Sequence, residues 1–240
     1  MAELGLRVWI ARVFDDDASH AGAPDWMSAG EQRRWTSLTG AGRRAFVASR
    51  RLLRDALAEA TGLAADRWQV SAEAGSAPLA SRLDSERDVA PQVSIAHCPG
   101  WVAVAVGGDD GGAIGVDIEC DRPSRSDPAD RAALVMQGAE LARWQALAAS
   151  EREAALLRAW VAREAWFKAA GAGAPWDFRR LACEPCDAAD ANVRVWESGT
   201  LHVALCARDA GALAAASCGG WPQGSDVRSS TWRVRVPANA

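Results

Sequence analysis

The chain has 240 residues, of which 49% are hydrophobic and 24% charged, with a net charge of −4. That composition belongs to a folded globular protein, and the negative balance offers nucleic acid no global basic field. No apolar run nears the ~20 residues that span a bilayer, and the arginine-interrupted start MAELGLRVWIARVF does not read as a signal peptide. A cytoplasmic protein with no membrane partner and six reduced cysteines is expected.

In chain order, Leu6–Phe14 alternates with the period of a strand. A loop follows, then a helical pattern from Ser28 to Thr36, broken by SLTGAG. The pattern is helical again from Arg43 to Ala60 and ends before Gly62, with Phe46, Leu53, Leu57 and Ala60 on one arc. Arg43, Arg50 and Arg54 share a second arc, with Arg44 and Arg51 beside them. Seven arginines and no acid fall between Arg33 and Arg54. This local positive field is either a solvated face or a seat for an anionic ligand.

RWQVSA then reads as a strand and Ala74–Ala90 as a polar loop. QVSIA, WVAVAV and AIGVDIE are three β-type runs joined by HCPG and GGDDGG, and connections that short predict an antiparallel meander. DRPSRSDP is a loop, and weaker helices cover Pro128–Ala148. SEREAALLRAWVAREAWFKAAG predicts a helix over Glu151–Ala170, with Ser150 and Glu153 as a capping box and Gly171 at its end. CEPC, from Cys183 to Cys186, lacks a second pair at zinc-ligand spacing and reads as two loop thiols. NVRVWES, TLHVALCA, GALAAAS and TWRVRV read as strands. The order is α+β and suggests two similar halves, 1–110 and 111–240.

On the long helix, Leu156, Leu157, Trp160, Val161 and Phe167 form an apolar arc. Glu164 falls inside that arc and Lys168 at its edge. A charge on a buried face is costly unless it is paired or bound to a cation. The i,i+4 pair is therefore either a plain helix salt bridge or the wall of a lined cleft. In GVDIE, Asp117 and Glu119 project from one face of a strand while Val116 and Ile118 point into a core. Two acids on one face either lie exposed or hold a cation, and oxygen ligands suit magnesium rather than zinc. With Glu164 they would supply three carboxylates to one hard cation. Together with nearby cationic side chains, these are the parts of a phosphoryl-transfer site. Lys168 is the only lysine in the chain. A lysine is a compact point charge, where arginine presents a wider planar fork.

Two motifs now resemble a known family, the Sfp-type 4′-phosphopantetheinyl transferases. The first is G-[IV]-D-x-E, here Gly115 to Glu119. The second is W-x-x-K-E-[AS]-x-x-K, here Trp160 to Lys168 with Arg163 at the first lysine. PQVSIAHCPGWVAVAV and RRAFVASRRLLRDAL are similar to two further family segments. The resemblance covers about residues 28–175 and implies two similar α/β halves related by pseudo-twofold symmetry, with the active site in the cleft between them. It implies that coenzyme A and magnesium bind there. The phosphopantetheine arm would pass to a serine of an apo acyl or peptidyl carrier protein, releasing adenosine 3′,5′-bisphosphate. Asp117, Glu119 and Glu164 match the metal-binding acids, and Glu164 or a water it orients is the candidate general base. Lys168 matches the lysine, and His97 the histidine, that contact coenzyme A phosphates. Arg43, Arg44, Arg50 and Arg51 fall in the helix that adds basic contacts. The family fold implies a monomer.

Three positions depart from the family pattern. Ala96 and Cys98 stand where serines flank the histidine, and Ala77 stands where a basic residue precedes proline. The rival readings are a non-catalytic relative that holds coenzyme A or a carrier protein, and a magnesium-dependent nucleotide pyrophosphate hydrolase.

Overall fold

The computed structural model describes residues 4–14, 22–71, 73, 75–84, 91–107, 112–121, 126–171 and 176–237. The loops expected at 15–21, 85–90, 108–111 and 122–125 lie outside the described residues. Two sheets and six helices account for most of the remainder. The first sheet has the order β10-β1-β5-β4, with β1 at Arg7–Arg12, β4 at Gln92–Cys98, β5 at Trp101–Gly107 and β10 at Ser217–Gly219. The second has the order β6-β9-β8-β11-β7, with β6 at Gly115–Cys120, β7 at Ala182–Pro185, β8 at Val193–Ser198, β9 at Leu201–Cys206 and β11 at Arg228–Arg235. A small ribbon pairs β2, Trp68–Val70, with β3, Ala80–Arg82.

The helices are α1 (Ala29–Ser37), α2 (Gly40–Thr61), α3 (Pro128–Val135), α4 (Gly138–Gln145), α5 (Ala149–Ala170) and α6 (Ala210–Ala215). None is long and apolar enough to cross a membrane, among the described residues. Strand alternation sorts the apolar residues into layers. Val8, Ile10, Ala103 and Ala105 of the first sheet meet Val116, Ile118, Val203 and Leu205 of the second in one core. On the outer face of the first sheet, Trp9, Val104 and Val106 pack on Leu53 and Leu57 of α2. On the outer face of the second, Val193, Val195 and Ala204 pack on Val161, Ala162 and Ala165 of α5.

The expected meander is corrected at its third strand. β4 and β5 form an antiparallel hairpin closed by Pro99 and Gly100, the latter at φ 81°. β6 does not pair with β5; it pairs antiparallel with β9, and so heads the second sheet. The two sheets meet at a seam where Ser94 Oγ accepts a bond from Val116 N at 3.0 Å. GALAAAS is also corrected. It forms the short helix α6, because Asp209 caps it by accepting bonds from Gly211 N and Ala212 N. Cys183, read as a loop thiol, is buried in β7.

Both long helices end on glycine, Gly62 at φ 74° and Gly171 at φ 80°. The capping box expected at Ser150 and Glu153 is displaced by two residues. The N-cap is Ala148, whose N–H donates to Glu151 Oε2 at 3.2 Å, while Glu153 pairs with Arg131. Arg163 is fully buried, bonded to Ala159 O, Phe178 O and Leu181 O and ion-paired to Glu140 of α4. It ties α5 to its neighbours from inside.

Gly115 sets how close α5 comes to β6. A Cβ there would lie 2.0 Å from Ala165 O, 2.6 Å from Ala169 N and 3.0 Å from Lys168 Cβ. Backbone atoms cannot give way as a flexible side chain would, so the helix itself must move. Gly115→Ala is expected to cost about 1–3 kcal/mol through overpacking. Thermal melts should show a midpoint lower by roughly 2–12 °C at this chain length. An unchanged midpoint would mean that α5 lifts off β6 without cost.

Candidate active site

The close contact at Gly115 lays the last turns of α5 across the acidic face of β6. Asp117 is buried, and its Oδ1 accepts a bond from Lys168 Nζ at 2.6 Å. Lys168 also donates to Val116 O at 3.1 Å, and its Nζ lies 3.8 Å from Glu164 Oε2. The other oxygen of Asp117, Oδ2, is buried with no hydrogen-bond partner. Glu164 and Lys168 are mostly buried, so the i,i+4 pair is not a fully solvated helix bridge. Glu119 is half-buried on the same face of β6 as Asp117.

Burial raises the Asp117 carboxyl to about 7; Lys168 opposes the rise, and the charges of Glu164 and Glu119 add to it. The three acids therefore sense one another across the strand and the helix. His97 is exposed near the end of the β4 hairpin arm, opposite Val102. Its pKa is lowered, by desolvation first and then by the Lys168 charge.

The raised Asp117 carboxyl has a pH consequence for the ligand-free protein. Between its ordinary range near 4 and about 7, the folded chain binds the proton that the unfolded chain has released. Stability from this group is therefore greatest at low pH and falls as pH rises through that window. Urea denaturation of wild type and Asp117→Asn from pH 5 to pH 8 should show wild type losing ground steadily to the variant. A constant difference would remove the shift.

The arginines of α2 do not form one open positive face, and this corrects the expected field. Arg54 is buried in a two-pronged pair with Glu31, which is fully buried, at 2.9 and 2.6 Å. Arg50 is buried beside that pair with its guanidinium 5.0 Å from the Phe46 ring centre. Desolvation, with Arg54 and Arg34 adding and Glu31 opposing, lowers it to about 10. Its Nε and Nη1 have no hydrogen-bond partners. Arg43 lies over Trp35 at 4.1 Å and donates to Leu38 O. Arg44 is half-buried with a partner of its own. Arg51 is exposed on the rim of a cavity of about 500 Å³ that Trp26, Met27 and Trp68 also line. Of the departures, Ala96 and Cys98 face the core between the sheets and Ala77 is exposed in a loop. Arg82, downstream of Ala77, is bonded to Asp84 at 3.0 Å.

The sequence reading missed His202. It is buried on β9 directly opposite Glu119, with Nδ1 3.0 Å from Glu197 Oε1. Arg158 of α5 holds Glu197 through two bonds at 3.0 and 2.9 Å. Burial works against the Glu197 charge, but the approach of His202 and the two bonds from Arg158 outweigh it and hold the carboxyl down at about 2. A histidine inside the otherwise apolar run LHVALC was the available signal.

The donor set around Asp117 is all oxygen, and the orphaned Oδ2 is an acceptor with capacity to spare, as a hard cation requires. Among the described residues, no group of three or more His, Cys, Asp or Glu is arranged to hold a metal ion. The Lys168 ammonium stands between Asp117 and Glu164 instead. Residues 113–218 match the family model described as the 4′-phosphopantetheinyl transferase superfamily. That segment runs from the approach to β6 through β10 and contains Asp117, Glu119, Glu164 and Lys168. No curated protein matches the chain.

Proposed function

We propose, from the match of residues 113–218 to the family model of the 4′-phosphopantetheinyl transferase superfamily, that this chain moves the phosphopantetheine arm of coenzyme A onto a serine of an apo acyl or peptidyl carrier protein. The observation that carries the reading is the solitary lysine bonded at 2.6 Å to a buried carboxylate whose second oxygen is unpartnered, beside Glu164 and inside the matched segment. The serine oxygen forms a new bond to phosphorus as the pyrophosphate P–O bond breaks, and adenosine 3′,5′-bisphosphate leaves.

Glu164 accepts the serine proton, directly or through a water. Lys168 and His97 stabilise the phosphates from opposite sides of the seam. Arg50, with its unpartnered buried donors, supports anion binding on the α2 side; Arg43, Arg44 and Arg51 add positive potential along the same helix. Asp117, Glu119 and Glu164 are the residues that would hold magnesium, which when bound neutralises charge on the pyrophosphate. The two helix-on-sheet layers, each built on a 22-residue helix, are read as pseudo-twofold halves, 1–110 and 111–240. The six unpaired cysteines fit a reducing cytoplasm, and the chain is read as acting as a monomer.

Incubation with coenzyme A, magnesium and an apo carrier protein, followed by intact mass of the carrier, tests this. A gain of one phosphopantetheinyl group is expected. Release of adenosine bisphosphate without that gain would make the chain a hydrolase, and neither product would make it a binder.

A further inference from the structure

The position of Lys168 says more than that a cation is needed. Its ammonium contacts Asp117 Oδ1 at 2.6 Å and Val116 O at 3.1 Å, and stands 3.8 Å from Glu164 Oε2. These two acids are the ones that would hold the metal, and no three-acid group forms around them, among the described residues. We infer that in the ligand-free protein the Lys168 ammonium occupies the metal's place between Asp117 and Glu164, so that metal and coenzyme A pyrophosphate enter as a pair. The inference rests on the metal reading above and assigns Lys168 a second task besides phosphate contact.

The physical argument is one of exchange. Two nearby carboxylates repel, and a resident ammonium relieves that repulsion until a divalent ion arrives. Gly115 holds the root of Lys168 close to β6, so the ammonium reaches Asp117 without extending into solvent. An incoming pyrophosphate offers the ammonium new acceptors, and its flexible stem allows the move. Once it swings away, Asp117 and Glu164 are open to the metal. By reciprocity, coenzyme A must then tighten metal binding by the same factor as metal tightens coenzyme A.

The single lysine makes the test direct, since the full chain labelled with [13Cε,15Nζ]-lysine gives one side-chain ammonium signal. Magnesium titrated into wild type should shift that signal in step with metal occupancy. In parallel, free manganese is followed by electron paramagnetic resonance with wild type and Lys168→Met, each with and without coenzyme A. The variant should bind manganese about tenfold or more tighter than wild type when coenzyme A is absent. Coenzyme A should close most of that gap. Equal manganese affinities would overturn the inference, as would metal saturating wild type while the lysine signal stays in place. If neither protein binds manganese even with coenzyme A, the metal reading itself falls and takes this inference with it. Should Lys168→Met fail to fold, the wild-type lysine signal decides alone.

Discussion

Glu164→Gln should lower carrier modification by about a hundredfold or more, because several kcal/mol of charge stabilisation and proton acceptance depend on this carboxylate. The substitution keeps the shape of the side chain and removes only its charge. Glu164 stands 3.8 Å from the Lys168 ammonium, and its charge helps to raise the Asp117 carboxyl. Losing that charge removes one contribution to the raised Asp117 carboxyl, while burial, the leading cause, stays. The fold should not suffer, since the change removes like-charge repulsion and opens no cavity. Single-turnover transfer measured beside a thermal melt separates the two effects. A variant with full activity would remove Glu164 from the chemistry, and one with a collapsed melting point would make it structural.

Arg54→Met is the substitution expected to cost the fold most. Glu31 is completely buried, and Arg54 supplies both of its ion-pair bonds, at 2.9 and 2.6 Å. Removing the cation strands a buried charge, which typically costs about 3–5 kcal/mol. At this chain length that is a melting midpoint lower by roughly 6–20 °C. The paired replacement Glu31→Gln with Arg54→Met should recover much of the loss, because it removes the stranded charge as well. A urea double-mutant cycle measures the coupling directly. Near-zero coupling would mean that water or Arg50 substitutes for Arg54.

The same pair marks the limit of what the residues reveal when read in order. α2 and α5 were legible because helical period and a terminal glycine, Gly62 or Gly171, are local signals. The same-face placement of Asp117 and Glu119 was legible because a strand repeats every two residues. The arginine stretch was read without the partner of Arg54 because that acid, Glu31, sits just outside it on α1. Yet Ser28 and Glu31 form a capping box that could have drawn attention to that residue. β6 was assigned to β5 because short connections favour neighbours, but partner choice in a sheet is decided by tertiary packing. His202 and Glu197 could not be joined to Glu119 without the β6–β9 register. The approach of Lys168 to Asp117 depends on a helix-to-strand contact, and only Gly115 hinted at it.

The parallel ladder that pairs Arg7 with Ser217 and Trp9 with Gly219 joins two strands 210 residues apart in the chain. On the ribosome β1 waits through more than two hundred residues for that neighbour, roughly 10–40 s at 5–20 residues per second. Throughout that interval one side of β1 presents unpaired N–H and C=O groups, the template on which foreign strands add. Nascent chains therefore keep that edge of β1 open to mispairing until β10 emerges. A chaperone that masks this edge should raise the soluble yield more than one that acts after release.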